Sequence, residues 1–136
     1  MPSVNISGKV RTRPANPPGR VLVVDDEPLV CWSLSAGLRD AGLATDTAST
    51  AAEALELAAL RPQPDAILLD SRLHGCDPAA LLRQLRITAP QCRFLLMTTD
   101  RYATPPANDV SLVRKPFDLV DVVRQVGAEV LRAHAG

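Results

Sequence analysis

The chain has 136 residues, which suits one domain, and 46% of them are hydrophobic, enough for a single core. Its formal net charge is zero, from 15 basic and 15 acidic residues, so charge gives no support for a nucleic-acid partner. No apolar run is long enough to span a bilayer. The N-terminal basic residues are not followed by an apolar segment, so they do not form a secretory signal. Cys31, Cys76 and Cys92 form no paired motif, which favours reduced thiols in a cytoplasm.

The first 19 residues differ in composition from the rest of the chain. They hold four prolines, scattered basic residues and no strong periodicity. Such a segment buries too little apolar surface to offset its ordering entropy. We therefore expect a disordered tail over residues 1–19 and one folded domain over residues 20–136.

Short apolar runs alternate with amphipathic segments along the rest of the chain. The runs lack polar alternation, which is typical of strands buried on both faces of a parallel sheet. Five strands are predicted, over residues 20–24, 44–48, 65–70, 93–97 and 110–113. Four helices are predicted, over residues 28–41, 51–60, 78–87 and 118–133. The alternation predicts an α/β fold with a parallel sheet and helices on both faces.

The connection between the fourth and fifth strands is unusual. A parallel crossover normally needs a dozen or more residues and usually contains a helix. Here the segment from Asp100 to Asp109 is close to that minimum, and it contains Pro105-Pro106. Little room is left for a helix.

Polar side chains end four of the predicted strands: Asp25 and Asp26, then Asp70, Thr98 and Lys115. In parallel sheets, ligand-binding and catalytic sites lie just beyond the carboxyl ends of the strands. Three close carboxylates repel one another, and a hard cation such as Mg²⁺ with oxygen ligands relieves this repulsion. A carboxylate can also accept a phosphoryl group as an aspartyl phosphate, with a hydroxyl and an ammonium holding the phosphoryl oxygens.

These motifs, in order and spacing, resemble a two-component response-regulator receiver domain. The matching parts are the acidic motif ending at Asp25-Asp26-Glu27-Pro28, the strand ending at Asp70, the hydroxyl of Thr98, and Lys115-Pro116-Phe117. The resemblance implies a flavodoxin-like fold with a five-stranded parallel sheet. It also implies that Asp70 is the phosphoacceptor and that Thr98 and Lys115 contact the phosphoryl group.

By the same resemblance a Mg²⁺ ion is bound beside the phosphoacceptor. The implied ligands are Asp26, Asp70 and the backbone carbonyl of Arg72, with Asp25 close by and acting partly through water. A degenerate pocket that is never phosphorylated is the alternative interpretation of the same residues.

The sequence departs from the family's pattern at several positions. The connection within residues 98–115 is shorter than usual, so we expect the fourth helix to be missing or reduced to a loop. In the family, an aromatic side chain on the fifth strand moves inward after the threonine when the domain is phosphorylated, and Leu112 occupies that position here. Either Tyr102 takes over this switching movement, or the output surface lies elsewhere. His74 and Pro78 stand where the family usually has proline and glycine.

The resemblance implies a bacterial signalling module rather than an enzyme acting on other substrates. A histidine kinase or a histidine phosphotransfer protein would donate the phosphoryl group, and a downstream protein target would be reached by protein–protein contact; a homodimer is left open. Val30, Trp32 and Pro116 lie where family members contact the phosphodonor, although partial packing also accounts for Trp32. A phosphatase acting on small substrates is disfavoured, because Arg72 stands where such enzymes carry a second acid.

Overall fold

The structure, a computed structural model, describes residues 3–4, 10–11 and 19–135. Two short strands near the start, β1 (Ser3–Val4) and β2 (Val10–Arg11), pair in antiparallel orientation. The other residues of the predicted tail before residue 19 lie outside the described residues. The disordered tail therefore stays a prediction.

A five-stranded parallel sheet forms the centre of the molecule. Its strands are β3 (Arg20–Val24), β4 (Ala44–Ala48), β5 (Ala66–Asp70), β6 (Arg93–Thr98) and β7 (Val110–Arg114). They lie in the order β4-β3-β5-β6-β7, and every neighbouring pair is parallel. This is the flavodoxin-like order, so the predicted fold is confirmed.

Helices cover both faces of this sheet. They are α1 (Pro28–Asp40), α2 (Ala51–Ala58), α3 (Pro78–Thr88) and α4 (Leu119–Ala135). One core lies between the sheet and α2 and α3, and a second core lies between the sheet and α1 and α4. Residues 99–109, between β6 and β7, contain no helix, as the sequence predicted. None of the helices in the described ranges combines the length and apolarity needed to cross a bilayer.

Side chains cap the first turn of α2 in an arrangement similar to a capping box. The hydroxyl of Thr50 accepts a hydrogen bond from the Glu53 N–H at 3.1 Å, and the Glu53 carboxylate accepts one from the Ser49 N–H at 3.0 Å. The helix ends at Ala58, two residues earlier than predicted, and the Arg61 guanidinium donates to carbonyls of this last turn. These groups satisfy backbone polar atoms that the helix leaves unpaired.

Helix α1 places its apolar side chains and Trp32 on different sides. Leu34 and Leu38 are fully buried against the sheet, whereas 70% of the Trp32 side chain is exposed. The helix ends before Gly42, whose φ of +88° lies in the left-handed region that favours glycine. Trp32 therefore faces solvent beside the carboxyl end of β3.

A buried acid fixes α4 to the sheet. Glu129 is only 2% exposed, and its carboxylate accepts hydrogen bonds from Arg93 Nε at 2.9 Å, Ser111 Oγ at 3.1 Å and Arg132 at 2.7 Å. Such partners are what a buried carboxylate requires. The bonds tie α4 to β6 and β7, far from the strand ends that carry the site.

Candidate functional site

The carboxyl ends of the strands bring the predicted polar residues to one edge of the sheet. Asp25 follows β3, Asp70 ends β5, Thr98 ends β6 and Lys115 follows β7. Asp25 is fully buried, and Asp70 and Thr98 are each 5% exposed. A set of buried polar groups at one edge is costly unless the groups satisfy one another or a ligand.

Three carboxylates form the acidic part of this site. Oxygens of Asp25, Asp26 and Asp70 all lie within 4.8 Å of one another, and Asp26 is the exposed member. Burial raises the pKa of Asp70 above its usual value, and the charge of Asp25 adds to this effect. The energetic cost of this cluster would fall if a cation were bound.

Lys115 supplies a positive charge inside the site. Its Nζ donates to Asp25 Oδ2 at 2.8 Å and lies 3.6 Å from Asp70 Oδ1. Burial alone would lower the pKa of Lys115, but the hydrogen bond to Asp25 and the charge of Asp25 outweigh burial and raise it. The backbone N–H of Lys115 also donates to the Thr98 carbonyl at 2.8 Å, which holds the residue in place. Lys115 is therefore a fixed, protonated group.

Backbone N–H groups occupy some of the carboxylate oxygens. The Glu27 N–H donates to Asp25 Oδ1 at 2.9 Å, the His74 N–H to Asp26 Oδ2 at 3.0 Å, and the Arg72 N–H to Asp70 Oδ1 at 3.2 Å. Sequence reasoning missed these contacts, because backbone groups make them. The loop that follows β5 is thus fastened to two of the three carboxylates.

The remaining oxygens fit a divalent cation. Asp26 Oδ1 and Asp70 Oδ2 accept no hydrogen bond from the part of the chain that the structure describes, whereas both oxygens of Asp25 are engaged. The carboxylates of Asp26 and Asp70 lie close together, and carboxylate oxygens form a hard donor set that suits Mg²⁺, with water completing the coordination. The geometry favours Asp26 and Asp70 as direct ligands, with Asp25 contributing less directly. The Arg72 carbonyl as a ligand stays a prediction.

Thr98 leads into the loop that replaces the fourth helix. Its hydroxyl accepts a hydrogen bond from the Asp100 N–H at 3.0 Å, and Asp100 Oδ1 accepts one from the Tyr102 N–H at 2.9 Å. The Tyr102 side chain is 83% exposed, and Leu112 is half-buried in β7. Neither predicted switch residue therefore lies in the acidic site. A short chain of hydrogen bonds does link Thr98 to the backbone of Tyr102.

The predicted docking residues lie outside the acidic site. Trp32 lines, together with Asp26 and Arg39, a cavity of about 390 Å³ between α1 and the end of β4. Val30 is half-buried against the α1–α4 core, and Pro116 is exposed directly after Lys115. Their role in docking stays a prediction.

Comparison with known proteins gives matches over most of the chain. Residues 21–126 match a family model described as the response regulator receiver domain. The chain is 36% identical over 113 residues to the DNA-binding transcriptional regulator NtrC of Escherichia coli K12, a match that covers 79% of this chain and 24% of that protein. It is 38% identical over 121 residues to the transcriptional regulatory protein PrrA of Mycobacterium leprae, covering 85% of this chain and 52% of that protein.

The chain therefore spans only about a quarter to about half of the length of these two relatives. Among solved structures, the CheY-like response regulator receiver domain protein of Methanospirillum hungatei superposes with a TM-score of 0.74 at 20% identity. That match covers 87% of this chain and 98% of the other. The two chains share a fold.

Proposed function

The chain belongs to the response regulator receiver domain family of two-component systems, and we propose that it accepts a phosphoryl group on Asp70 in the presence of Mg²⁺. The donor in this proposal is a histidine kinase or a histidine phosphotransfer protein, and the output is contact with a downstream protein. The supporting observation is the site itself. Asp70 keeps one oxygen free of hydrogen bonds from described residues, and the Lys115 ammonium lies 3.6 Å from the other.

The proposed transfer uses groups that the site already positions. One carboxylate oxygen of Asp70 attacks the phosphorus of the donor, and the other remains to hold the cation; as the new O–P bond forms, the P–N bond of a phosphohistidine breaks, and its electron pair stays on the imidazole nitrogen. In this proposal the Lys115 ammonium and the Thr98 hydroxyl bind oxygens of the transferred group. Mg²⁺, when bound, would offset the negative charge of the phosphoryl oxygens.

In this proposal the protonated Lys115 also affects the ionisation of Asp70. Burial favours the neutral form of Asp70, which is a poor nucleophile. The nearby ammonium acts in the opposite direction and favours the ionised carboxylate, which is the nucleophilic form. In this proposal the chain catalyses only its own phosphorylation and dephosphorylation, and it works in the cytoplasm, where such donors are found.

Intact-mass measurement tests the proposal. The protein is incubated with acetyl phosphate and Mg²⁺, alongside Asp70→Asn and the matched control Asp40→Asn, which changes an exposed acid at the end of α1. We expect one phosphoryl adduct on the wild type and on the control, and none on Asp70→Asn. Chelation of Mg²⁺ should suppress the adduct. An adduct that persists on Asp70→Asn would contradict the proposal.

A second candidate is a receiver-fold interaction module that is never phosphorylated. The observations that favour it are the absence of a helix in residues 99–109 and the aliphatic Leu112 at the switch position. The same experiment separates the two candidates. No adduct on the wild type, together with no response of Trp32 fluorescence to Mg²⁺, would favour this second candidate.

A further inference from the structure

The sheet face that carries α2 and α3 is incompletely covered over β6 and β7. Leu96 of β6 and Leu112 of β7 are partners in the parallel register, and both are only half-buried. Parallel sheets normally have both faces covered, because their strands are apolar on both sides. Residues 99–109 run past this region without forming a helix. The helix that would cover this part of the sheet face is therefore missing.

An apolar groove of about 330 Å³ lies in that region. The first turns of α3 form one side, β6 forms the floor, and the loop before β7 forms the other side. Its lining includes Ala79, Leu82, Arg83, Arg86, Leu96 and Pro106. Ile87 lies one helical turn beyond Arg83 and is 81% exposed, so it extends the apolar surface along α3.

Positive charge accompanies the groove. The two terminal guanidinium nitrogens of Arg86 donate to the Asp109 carboxylate, and the guanidinium also lies 5.2 Å from the Phe94 ring centroid. This pairing holds Arg86 still. Arg83, in contrast, is exposed and forms no ion pair with any other described residue.

The charge distribution of the whole chain supports an acidic occupant. Residues 71–115, which build the groove, carry seven basic and three acidic side chains, whereas residues 25–60 carry one basic and seven acidic side chains. The stretch that contains the groove residues is thus basic and the preceding stretch acidic, and because Arg86, Arg93 and Lys115 are paired with acids, Arg83 is the groove residue whose charge is left for a partner. An occupant with carboxylates would be attracted to the groove and a basic one repelled.

We propose that this groove docks an acidic amphipathic helix supplied by a partner protein. The apolar side chains of that helix pack on Leu82 and Leu96, and its carboxylates face Arg83. The helix takes the place of the missing layer, so the sheet face becomes covered in the complex. A second copy of this chain is a poorer occupant, because the main apolar stripe of each described helix is already packed in the chain's own cores.

Selection from a displayed library of helices tests this proposal. The library carries peptides of about 20 residues, long enough to form helix, with a fixed apolar stripe and randomised flanking positions. Enriched peptides are labelled and titrated by fluorescence anisotropy with Ala79→Gln, which narrows the groove, and with Arg83→Glu, which reverses its charge. Ala52→Gln on α2 and Arg124→Glu on α4 are the matched controls, since both sites are exposed and outside the groove.

We expect Asp and Glu to be enriched over Lys and Arg in the selected flanks. Affinity should fall at least about tenfold in both groove variants, stay unchanged in both controls, and weaken as salt is added. Far-UV circular dichroism checks that each variant is folded.

Three outcomes would overturn the proposal. One is a selection that yields no binder, or only binders that are basic or insensitive to both groove variants. Another is self-association of the protein in sedimentation that Arg83→Glu abolishes, which would assign the groove to a second copy. The third is stabilisation of the protein against thermal unfolding by added decanoate, if Ala79→Gln removes that stabilisation and no helix binds. This result would assign the groove to a small amphiphilic ligand.

Discussion

The Nζ atom of Lys115 lies 2.8 Å from Asp25 Oδ2 and 3.6 Å from Asp70 Oδ1, so one ammonium links the ends of three strands. The Asp25 side chain is fully buried and that of Lys115 is 13% exposed. This pair is therefore shielded from solvent, unlike most ion pairs among the described residues. The pair therefore contributes both to the stability of the fold and to the net charge of the acidic site.

Replacement of Lys115 by methionine should destabilise the fold. The variant keeps the apolar stem but leaves Asp25 buried without its counter-ion, which typically costs about 3 kcal/mol. Urea unfolding followed by circular dichroism measures the loss. The double variant Asp25→Asn/Lys115→Met should recover most of it, because the unpaired charge is then absent. Equal losses in the single and double variants would show that the pair is not what stabilises this region.

Neutralising Asp26 should have the opposite effect on stability. Asp26 is exposed and lies close to two other carboxylates, so Asp26→Asn in metal-free buffer should raise the free energy of unfolding by about 1 kcal/mol. The asparagine oxygen can still accept the bond from the His74 N–H. Thermal unfolding of the two proteins in the presence of a chelator measures the difference.

The same variant should lose its response to Mg²⁺. A cation that binds only the folded state stabilises it by mass action, so added Mg²⁺ should raise the melting temperature of the wild type but not of Asp26→Asn. Trp32 is the only tryptophan and lines the cavity beside Asp26, so its fluorescence provides a second measurement. An equal Mg²⁺ response in both proteins would remove Asp26 from the ligand set.

The ion pair of Arg86 and Asp109 should make stability depend on pH. The side-chain hydrogen bond from Arg86 lowers the pKa of Asp109 below its ordinary value of 3.8. The stabilisation is therefore complete above that ordinary value and is lost as the pH falls through the lowered one. Asp109→Asn should cost up to about 1 kcal/mol at neutral pH and almost nothing in strong acid. Urea unfolding across this range tests the prediction, and a pH-independent difference would contradict it.

Tyr102 is predicted to report the state of Asp70 through the loop that follows Thr98. Hydrogen bonds run from Thr98 through Asp100 to the Tyr102 backbone, and Arg114 donates to the carbonyls of this loop. Phosphorylation should therefore change amide exchange in residues 99–109. Alanine keeps the Tyr102 N–H that binds Asp100, so Tyr102→Ala tests the ring alone, and gating by that ring predicts a smaller change in the variant. If resting and phosphorylated states of the variant differ as they do in the wild type, gating by Tyr102 is wrong.

The sequence was sufficient to predict the sheet and the residues at its edge. Continuous apolar runs mark strands buried on both faces, and Asp70 ends such a run, so its position followed from the pattern. Lys115 and Thr98 were placed by the same logic, although β6 includes Thr98 and so runs one residue further than predicted. The missing helix followed from Pro105-Pro106 and the short connection.

Contacts between backbone N–H groups and distant side chains could not be predicted. The His74 N–H binds Asp26 across the loop, and any residue except proline could supply that N–H. The family's usual proline at this position could not. The burial of Glu129 could not be predicted from the sequence either, because it depends on hydrogen bonds from Arg93 and Ser111, which only the fold brings close to it.

The most direct test of the central claim is to locate the phosphoryl group on the chain. An aspartyl phosphate is reduced by borohydride to homoserine, which tandem mass spectrometry assigns to one position. After treatment with acetyl phosphate and Mg²⁺, we expect homoserine at position 70 and aspartate at positions 25 and 26. Homoserine at position 25 or 26, or an adduct that borohydride does not reduce, would contradict the assignment of Asp70 as the phosphoacceptor.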